Sequence, residues 1–168
     1  IRRAAQAYNL SWDSEIRIQP VLFTIRRWAE KYNLYEQQAI SFGVKNIVSE
    51  IMSEHHAQGH VLSLADDLFL LLLPGDLSGS SESDWVQVGS RQCADAVHKH
   101  LKADINAYIG QTCLLSGLAA QVQNLRDADS HNIAYENEVI VPDQAAALQL
   151  PLRTANLELW AMLLENDR

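Results

Sequence analysis

Two apolar runs separated by a short acidic turn constrain the fold of this chain more than any other feature of its sequence. The runs span residues 61–64 and 68–73, and Asp66 and Asp67 lie between them. Apolar runs joined by a short turn signal predict a β-hairpin. The second run continues without a break from Leu70 to Leu73, which is typical of a central strand covered on both faces. The chain is therefore predicted to contain a sheet with helices packed on it.

Hydrophobic periodicity predicts the remaining elements. In the strongest helix, Leu34–His55, apolar residues recur at intervals of three and four, so one face is expected to be buried. Pro20 lies in the first strand, whose regular part is therefore expected to start at Val21. The other predicted elements are a helix end Arg2–Tyr8, a strand Arg17–Arg26, a helical turn Trp28–Tyr32, hairpin strands His60–Leu64 and Leu68–Leu73, a helix Ser83–Ile105, a strand Asn106–Leu114, a helix Leu118–Ala128, a strand Glu138–Val141 and a tail helix Ala145–Asp167.

The order of these elements predicts the fold class. Strands alternate with helices around one central hairpin, which is typical of an α/β (α+β) domain in which a mixed, mainly antiparallel five-stranded sheet carries packed helices. Pro142 ends the last predicted strand, so we divide the chain into a domain of residues 1–142 and a helical linker of residues 143–168.

Length and charge limit the classes of function that this chain can have. With 168 residues the chain is long enough for one domain with a core. Its net charge of −8, without a basic stripe, predicts that it does not bind DNA by itself. No apolar run approaches the roughly 20 residues that span a bilayer, so we expect no membrane association and a cytoplasmic location. The chain starts at Ile1 rather than Met, and we expect it to be part of a longer protein.

The two cysteines lie twenty residues apart in the sequence. Cys93 falls on the apolar face of the helix Ser83–Ile105, which also carries His100, and Cys113 falls in a predicted strand. Two free thiols in a reducing cytoplasm are the preferred interpretation, and a disulfide between them is the alternative. Neither cysteine has the neighbour of a CxxC motif, which would favour zinc binding or redox chemistry.

The polar clusters predict no catalytic or metal site. Asp66 and Asp67 could act as an acid/base pair only if buried in a cleft, and an exposed hairpin turn accounts for both residues. Asp127, Asp129 and His131 are best explained as a polar helix end rather than as part of a triad. We therefore predict no catalytic residue, no metal and no cofactor.

Three stretches carry a resemblance to a known family. The segment Ile40–Ile51 is similar to the "FAxxNIxxE" helix of the degenerate GGDEF-like middle domain of AraC-type two-component response regulators. The hairpin resembles the one that carries the GGDEF signature, and residues 157–167 resemble the helix that follows this middle domain. GGDEF domains have the nucleotidyl-cyclase fold, so the resemblance implies that fold for most of the chain.

The signature turn departs from the catalytic pattern. It reads Ala65-Asp66-Asp67-Leu68-Phe69 in this chain. Active members of the family have two glycines where Ala65 and Asp66 stand, and a glutamate where Leu68 stands. Of the acidic pair only Asp67 is retained. The resemblance therefore implies a signature turn that has lost most of its chemistry.

The first strand departs from the family in the same way. Its end resembles the region that supplies a metal site in active cyclases, and here Thr24 and Arg26 occupy the positions of the ligands. A guanidinium repels Mg²⁺, whereas nucleotide chemistry depends on metal ions to neutralise developing charge. The resemblance therefore implies that diguanylate cyclase activity is lost.

The resemblance also implies partners. A receiver domain would precede this chain and a helix-turn-helix module would follow it, so that the domain relays a signal and DNA is contacted only through the missing module. A homodimer is a further possibility, and Trp160 and Leu164 share one face of the tail helix as a candidate interface. Two alternatives stay open, namely a domain that senses a nucleotide or metabolite in the former groove, and a residual enzyme.

Overall fold

A computed structural model describes residues 16–28, 32–54, 59–74 and 80–142, with the side chains of residues 80–84 left out. Within these ranges the strands are β1 (Arg17–Trp28), β2 (His60–Ala65), β3 (Leu68–Pro74), β4 (Ala103–Ile109), β5 (Cys113–Leu114) and β6 (Val139–Ile140). The helices are α1 (Leu34–Glu54), α2 (Ser80–Leu101) and α3 (Leu118–His131), and a 3₁₀ turn, Leu115–Gly117, precedes α3.

The strands form one mixed sheet in the order β2-β3-β1-β4-β6. All neighbours in this order are antiparallel except β4 and β6, which are parallel. The short strand β5 pairs with the start of β1, outside this order. The predicted fold class, a mixed and mainly antiparallel sheet with packed helices, is confirmed. The predicted count of five strands is wrong, because the described residues form six.

The two faces of the sheet have separate cores. Alternate residues of β1 point to opposite faces, as they do in any strand. Val21, Phe23 and Ile25 pack with the apolar faces of α1 and α2. Ile18 and Leu22 pack with Leu70, Leu72, Tyr108 and Leu125 on the face that α3 covers. The described part of the chain therefore has three layers, with the sheet in the middle.

Helix α1 starts where its sequence provides a cap. The Asn33 side-chain oxygen accepts the Glu36 backbone N–H at 3.1 Å, and the Glu36 carboxylate accepts the Asn33 N–H at 2.7 Å. This reciprocal pair satisfies two donors that a helix N-terminus leaves free. The buried face of α1 includes Val44, Val48 and Met52, which confirms the predicted amphipathic helix.

The first strand is longer than its sequence suggested. Pro20 lies within β1 and pairs with Leu72, so the prediction that the regular strand starts at Val21 is wrong. The Pro20 carbonyl accepts the Gly110 N–H at 2.8 Å, so the missing N–H of Pro20 faces the gap between β4 and β5. The Gly110 carbonyl opposite this missing N–H accepts the Gln19 side-chain amide at 3.1 Å instead, so proline is tolerated. The predicted helical turn from Trp28 is also wrong at its start, because Trp28 ends β1.

The second long helix ends earlier than predicted. It stops at Leu101, and the segment to Ile105 already belongs to β4. Lys102 has a φ of 53°, the left-handed conformation that commonly ends helices. Glycine usually occupies such a position and marks the helix end in a sequence, whereas a lysine does not. His100 is exposed rather than on the apolar face, because Leu101 takes that side of the last turn. The predicted strand Asn106–Leu114 is two strands, β4 and β5.

The two cysteines are free. Cys93 is buried among the residues of α2 that face the sheet, and burial raises the pKa of its thiol to about 12. Burial also raises the pKa of Cys113. A thiol that stays protonated at neutral pH is a poor nucleophile, so Cys93 is a core residue.

Some predictions fall on residues outside the described ranges. These are the helix end Arg2–Tyr8 and the tail helix Ala145–Asp167 with its candidate interface at Trp160 and Leu164. Across the ranges that are described, no helix combines the length and the apolar character needed to cross a membrane.

Candidate functional site

The hairpin turn is held through its backbone. Asp66 and Asp67 form the turn between β2 and β3, and both side chains are exposed. The Asp66 carbonyl accepts a hydrogen bond from the Ser41 hydroxyl of α1, and the Asp67 carbonyl accepts the Ile25 N–H at 2.8 Å. The turn is thus fixed to both α1 and β1, while its two carboxylates point into solvent.

The sheet brings the two predicted site regions together. Thr24 pairs with Leu68, the first residue after the turn, and with Asn106 on the other side. Thr24 is 7% exposed, and its hydroxyl is buried without a hydrogen-bond partner. The hairpin turn and the end of β1 therefore form one region.

Arg26 occupies a β-bulge at the end of β1. The register of β1 against β4 shifts between Ile25 and Arg27, which leaves Arg26 as the extra residue. A bulge redirects the side chain that it carries. The Arg26 guanidinium contacts Asp129 of α3 at 3.3 Å and donates to the Asn132 carbonyl at 2.5 Å. A cation therefore crosslinks β1 to the end of α3.

A buried polar network continues from Asp129. The Tyr108 hydroxyl accepts hydrogen bonds from the side-chain amides of Asn132 at 2.8 Å and Asn106 at 3.3 Å, and the charge of the nearby Asp129 carboxylate acts on it. Burial raises the pKa of Tyr108, the two amides oppose this, and the negative charge of Asp129 adds to it. The Tyr108 hydroxyl therefore stays protonated beside the Asp129 carboxylate.

The network fixes the segment that follows α3, residues 132–138, which we call the exit turn because it leads into β6. Asn106 donates to the Tyr135 carbonyl at 2.7 Å and accepts the Glu138 N–H at 2.9 Å. From α2, Arg91 donates to the Asn137 carbonyl and to the Glu138 carboxylate, both at 2.6 Å. Side chains from β4 and α2 thus hold the exit turn from two sides.

The donor set of this region does not fit a divalent metal. Mg²⁺ is held by carboxylates and other oxygens, but here the carboxylate of Asp129 is already paired with Arg26. The carboxylate of Asp67 lies on the exposed turn. Among the described residues, no three His, Cys, Asp or Glu side chains lie together in a way that could hold a metal ion. The side chains of this region link β1, β4 and α2 to the end of α3 and the segment that follows it.

Comparisons with known proteins add little. No family model matches the chain, and no curated protein matches it. A solved structure that matches is that of the guanylyl cyclase Cya2, with a TM-score of 0.42 and 15% sequence identity over 68% of this chain and 70% of that chain. At this TM-score the similarity carries no inference about this chain.

The sequence located the hairpin and the end of β1 but missed the polar network. The sequence pattern favours a helix end for Asp129, and this residue does lie in the last turn of α3. Its partner Arg26 is more than a hundred positions away in the sequence, so no local pattern joined them. Asn106 and Tyr108 share a strand face, and the alternation of β4 was the one signal that could have indicated a buried polar pair.

Proposed function

We propose that this chain is a non-catalytic signal-relay domain of a bacterial, cytoplasmic two-component transcription regulator of the AraC type. In this account a receiver domain precedes it and a helix-turn-helix module follows it. DNA is contacted only by that module, and the relay domain has the nucleotidyl-cyclase-like fold that its motifs resemble. No metal or cofactor takes part.

One observation carries the proposal, namely the position of Arg26. The resemblance expects a metal ligand at the end of the first strand, and Arg26 instead forms an ion pair with Asp129. A guanidinium needs no metal ion to bind a carboxylate, and its positive charge opposes Mg²⁺ at the same place. The position has thus changed from metal binding to a crosslink between β1 and α3.

The contacts of Arg26 supply a route for the relay. On one side, β1 is bonded to the hairpin turn through the Ile25 N–H and the Asp67 carbonyl. On the other side, Arg26 holds the carbonyl of Asn132, where the exit turn starts. The exit turn leads through β6 to the residues that, in this account, connect to the DNA-binding module. Movement of the hairpin or β1 would therefore change the position of the exit.

Solution scattering of the intact regulator tests the relay. Addition of a phosphate mimic is expected to change the radius of gyration, since phosphorylation of the receiver would rearrange the domains. We expect Arg26→Ala to reduce this change strongly. Arg27→Ala is the matched control, because Arg27 is exposed and forms only a surface pair with Glu136 at 3.5 Å. A scattering profile of the wild-type protein that is the same with and without the phosphate mimic would contradict the relay model.

A second candidate function is ligand sensing in the former groove. The buried hydroxyl of Thr24, which has no hydrogen-bond partner, favours it because such groups are uncommon unless something satisfies them. A nucleotide or metabolite that bonds to this hydroxyl would stabilise the fold. A rise in melting temperature with guanine nucleotides, absent in Thr24→Val, would support this function, whereas flat titrations across nucleotides and metabolites would count against it.

A further inference from the structure

The outer face of α1 carries a regular pattern of its own. While Val44, Val48 and Met52 face the core, a stripe of exposed residues runs along the opposite side of the helix. Its members alternate in steps of four and three residues, and we call them the α1 stripe: Tyr35, Ala39, Phe42, Asn46, Ser49 and Ser53. This alternation is the spacing of the a and d positions that face a second helix in a coiled coil.

Two aromatic rings dominate the first half of the α1 stripe. Tyr35 is 82% exposed and Phe42 is 66% exposed. They are seven residues apart and therefore lie on the same side of the helix, two turns from each other. A single exposed apolar residue is ordinary in a soluble protein, but two aromatic side chains in d positions of one stripe are the type of anchor that helix pairing buries.

A positive and a negative side chain flank the α1 stripe. Lys45 occupies a g position on one side of it, and Glu50 occupies an e position on the other. Neither forms an ion pair within the described ranges. When two helices run parallel, each g position faces the e position five residues further along the other helix. Lys45 of each copy would then face Glu50 of the other, and twofold symmetry forms this contact twice.

The charges distinguish parallel from antiparallel helices. With the whole stripe overlapping, an antiparallel pair brings e positions against e positions and g positions against g positions. Lys45 would then face Lys45 of the other copy, and Glu50 would face Glu36. Like charges in such contacts are unfavourable. Only the parallel pair also brings the two copies of Asn46 together, and an asparagine at an a position is the device that fixes such an alignment.

We propose that a second copy of this chain binds along α1, parallel to the first and related to it by a twofold axis. Phe42 and Asn46 each contact their own counterparts, and Lys45 pairs with Glu50 of the other copy. The helix has 21 residues, so the contact is about 30 Å long. One helix face is smaller than the roughly 800 Å² per partner of a stable interface, so we expect a Kd of roughly 10–100 μM and a monomer in dilute solution. The proposal does not depend on the regulator context.

Sedimentation velocity over a range of concentrations tests the dimer. The wild-type chain is expected to shift from monomer to dimer as its concentration rises. Phe42→Asp is expected to weaken dimerisation at least tenfold, because it places a carboxylate from each copy in an apolar contact. Val88→Asp is the matched control, since Val88 is 52% exposed on α2, and it should dimerise like the wild type. Circular dichroism verifies the fold of both variants.

Charge exchange tests the direction of the two helices. Lys45→Glu and Glu50→Lys are each expected to weaken dimerisation about fivefold at low salt, because each puts like charges together at both contacts. Lys99→Glu, at an exposed position on α2, is the matched control and should have no effect. The double variant with both changes restores opposite charges in a parallel dimer, and an equal mixture of the two single variants does so in a mixed dimer. Dimerisation is therefore expected to return in both cases.

Several results would overturn the proposal. These are a wild-type chain that stays monomeric at every concentration, a Phe42→Asp variant that dimerises like the wild type, and single charge variants that dimerise like the wild type. A double variant that dimerises no better than the single ones would contradict the parallel arrangement, because only that arrangement joins residue 45 of one copy to residue 50 of the other. None of these results bears on the scattering test of the relay.

Discussion

Asn106→Leu is expected to lower the free energy of unfolding by about 2–4 kcal/mol, because it removes three hydrogen bonds from the interior and leaves a backbone N–H without a partner. Asn106 is fully buried, and its side chain bonds to the Tyr135 carbonyl, the Tyr108 hydroxyl and the Glu138 N–H. Leucine has a similar size, so the loss is one of polar contacts rather than of volume. Urea unfolding followed by circular dichroism measures it.

Asn46→Leu is the matched control for this result. Asn46 lies exposed on α1, so the same chemical change there should alter the free energy of unfolding by less than about 0.5 kcal/mol. Equal effects at the two positions would mean that the buried network does not hold the exit turn. In that case the route from β1 to the exit turn would lose its structural basis.

Phe69→Ala is expected to lower the free energy of unfolding by about 3–5 kcal/mol, because it leaves a cavity between the sheet and the helices. Phe69 is almost completely buried and lies opposite Phe23 of β1. It is the second residue of β3 after the hairpin turn, so the measurement gives the contribution of the apolar side chains of the hairpin separately from that of its acidic turn residues. Thermal or urea unfolding of the chain gives the value.

Asp67→Ala is the companion variant in the same turn. The backbone carbonyl of Asp67 makes the bond to Ile25, and its side chain is exposed, so we expect a change of less than about 0.5 kcal/mol. A loss as large as that of Phe69→Ala would show that the carboxylate itself stabilises the turn. The expected contrast identifies the hairpin as a fold element whose remaining acid is dispensable for stability.

The sequence predicted the parts of the fold that depend on local pattern. The hairpin follows from its apolar runs, and α1 follows from its periodicity and ends near the predicted residue. The end of α2 could not be found in this way, because a lysine rather than a glycine adopts the left-handed conformation at residue 102. The prediction that β1 becomes regular only after Pro20 is wrong, because the effect of a proline depends on which part of the sheet faces its missing N–H.

The candidate site was predictable only in part, because most of its contacts depend on tertiary packing rather than on local sequence pattern. The proximity of Thr24 to the turn follows from the pairing of β1 with β3, which the order of the elements alone did not predict. The role of Arg26 depends on a β-bulge and on an ion pair with Asp129. Neither feature can be recognised from the residues that neighbour Arg26 in the sequence. Networks of this type join residues that tertiary packing brings together, and a single sequence does not record such pairs.

The central proposal is that the hairpin and the end of β1 have the frame of a nucleotide cyclase without its chemistry. Incubation of the chain with GTP and Mg²⁺, followed by chromatographic detection of a cyclic dinucleotide, tests it most directly. We predict no product above a control without protein, because Arg26 opposes the metal ion and Leu68 stands where the family has an acid. Product that accumulates with the wild-type chain and disappears with Asp67→Ala would contradict the account.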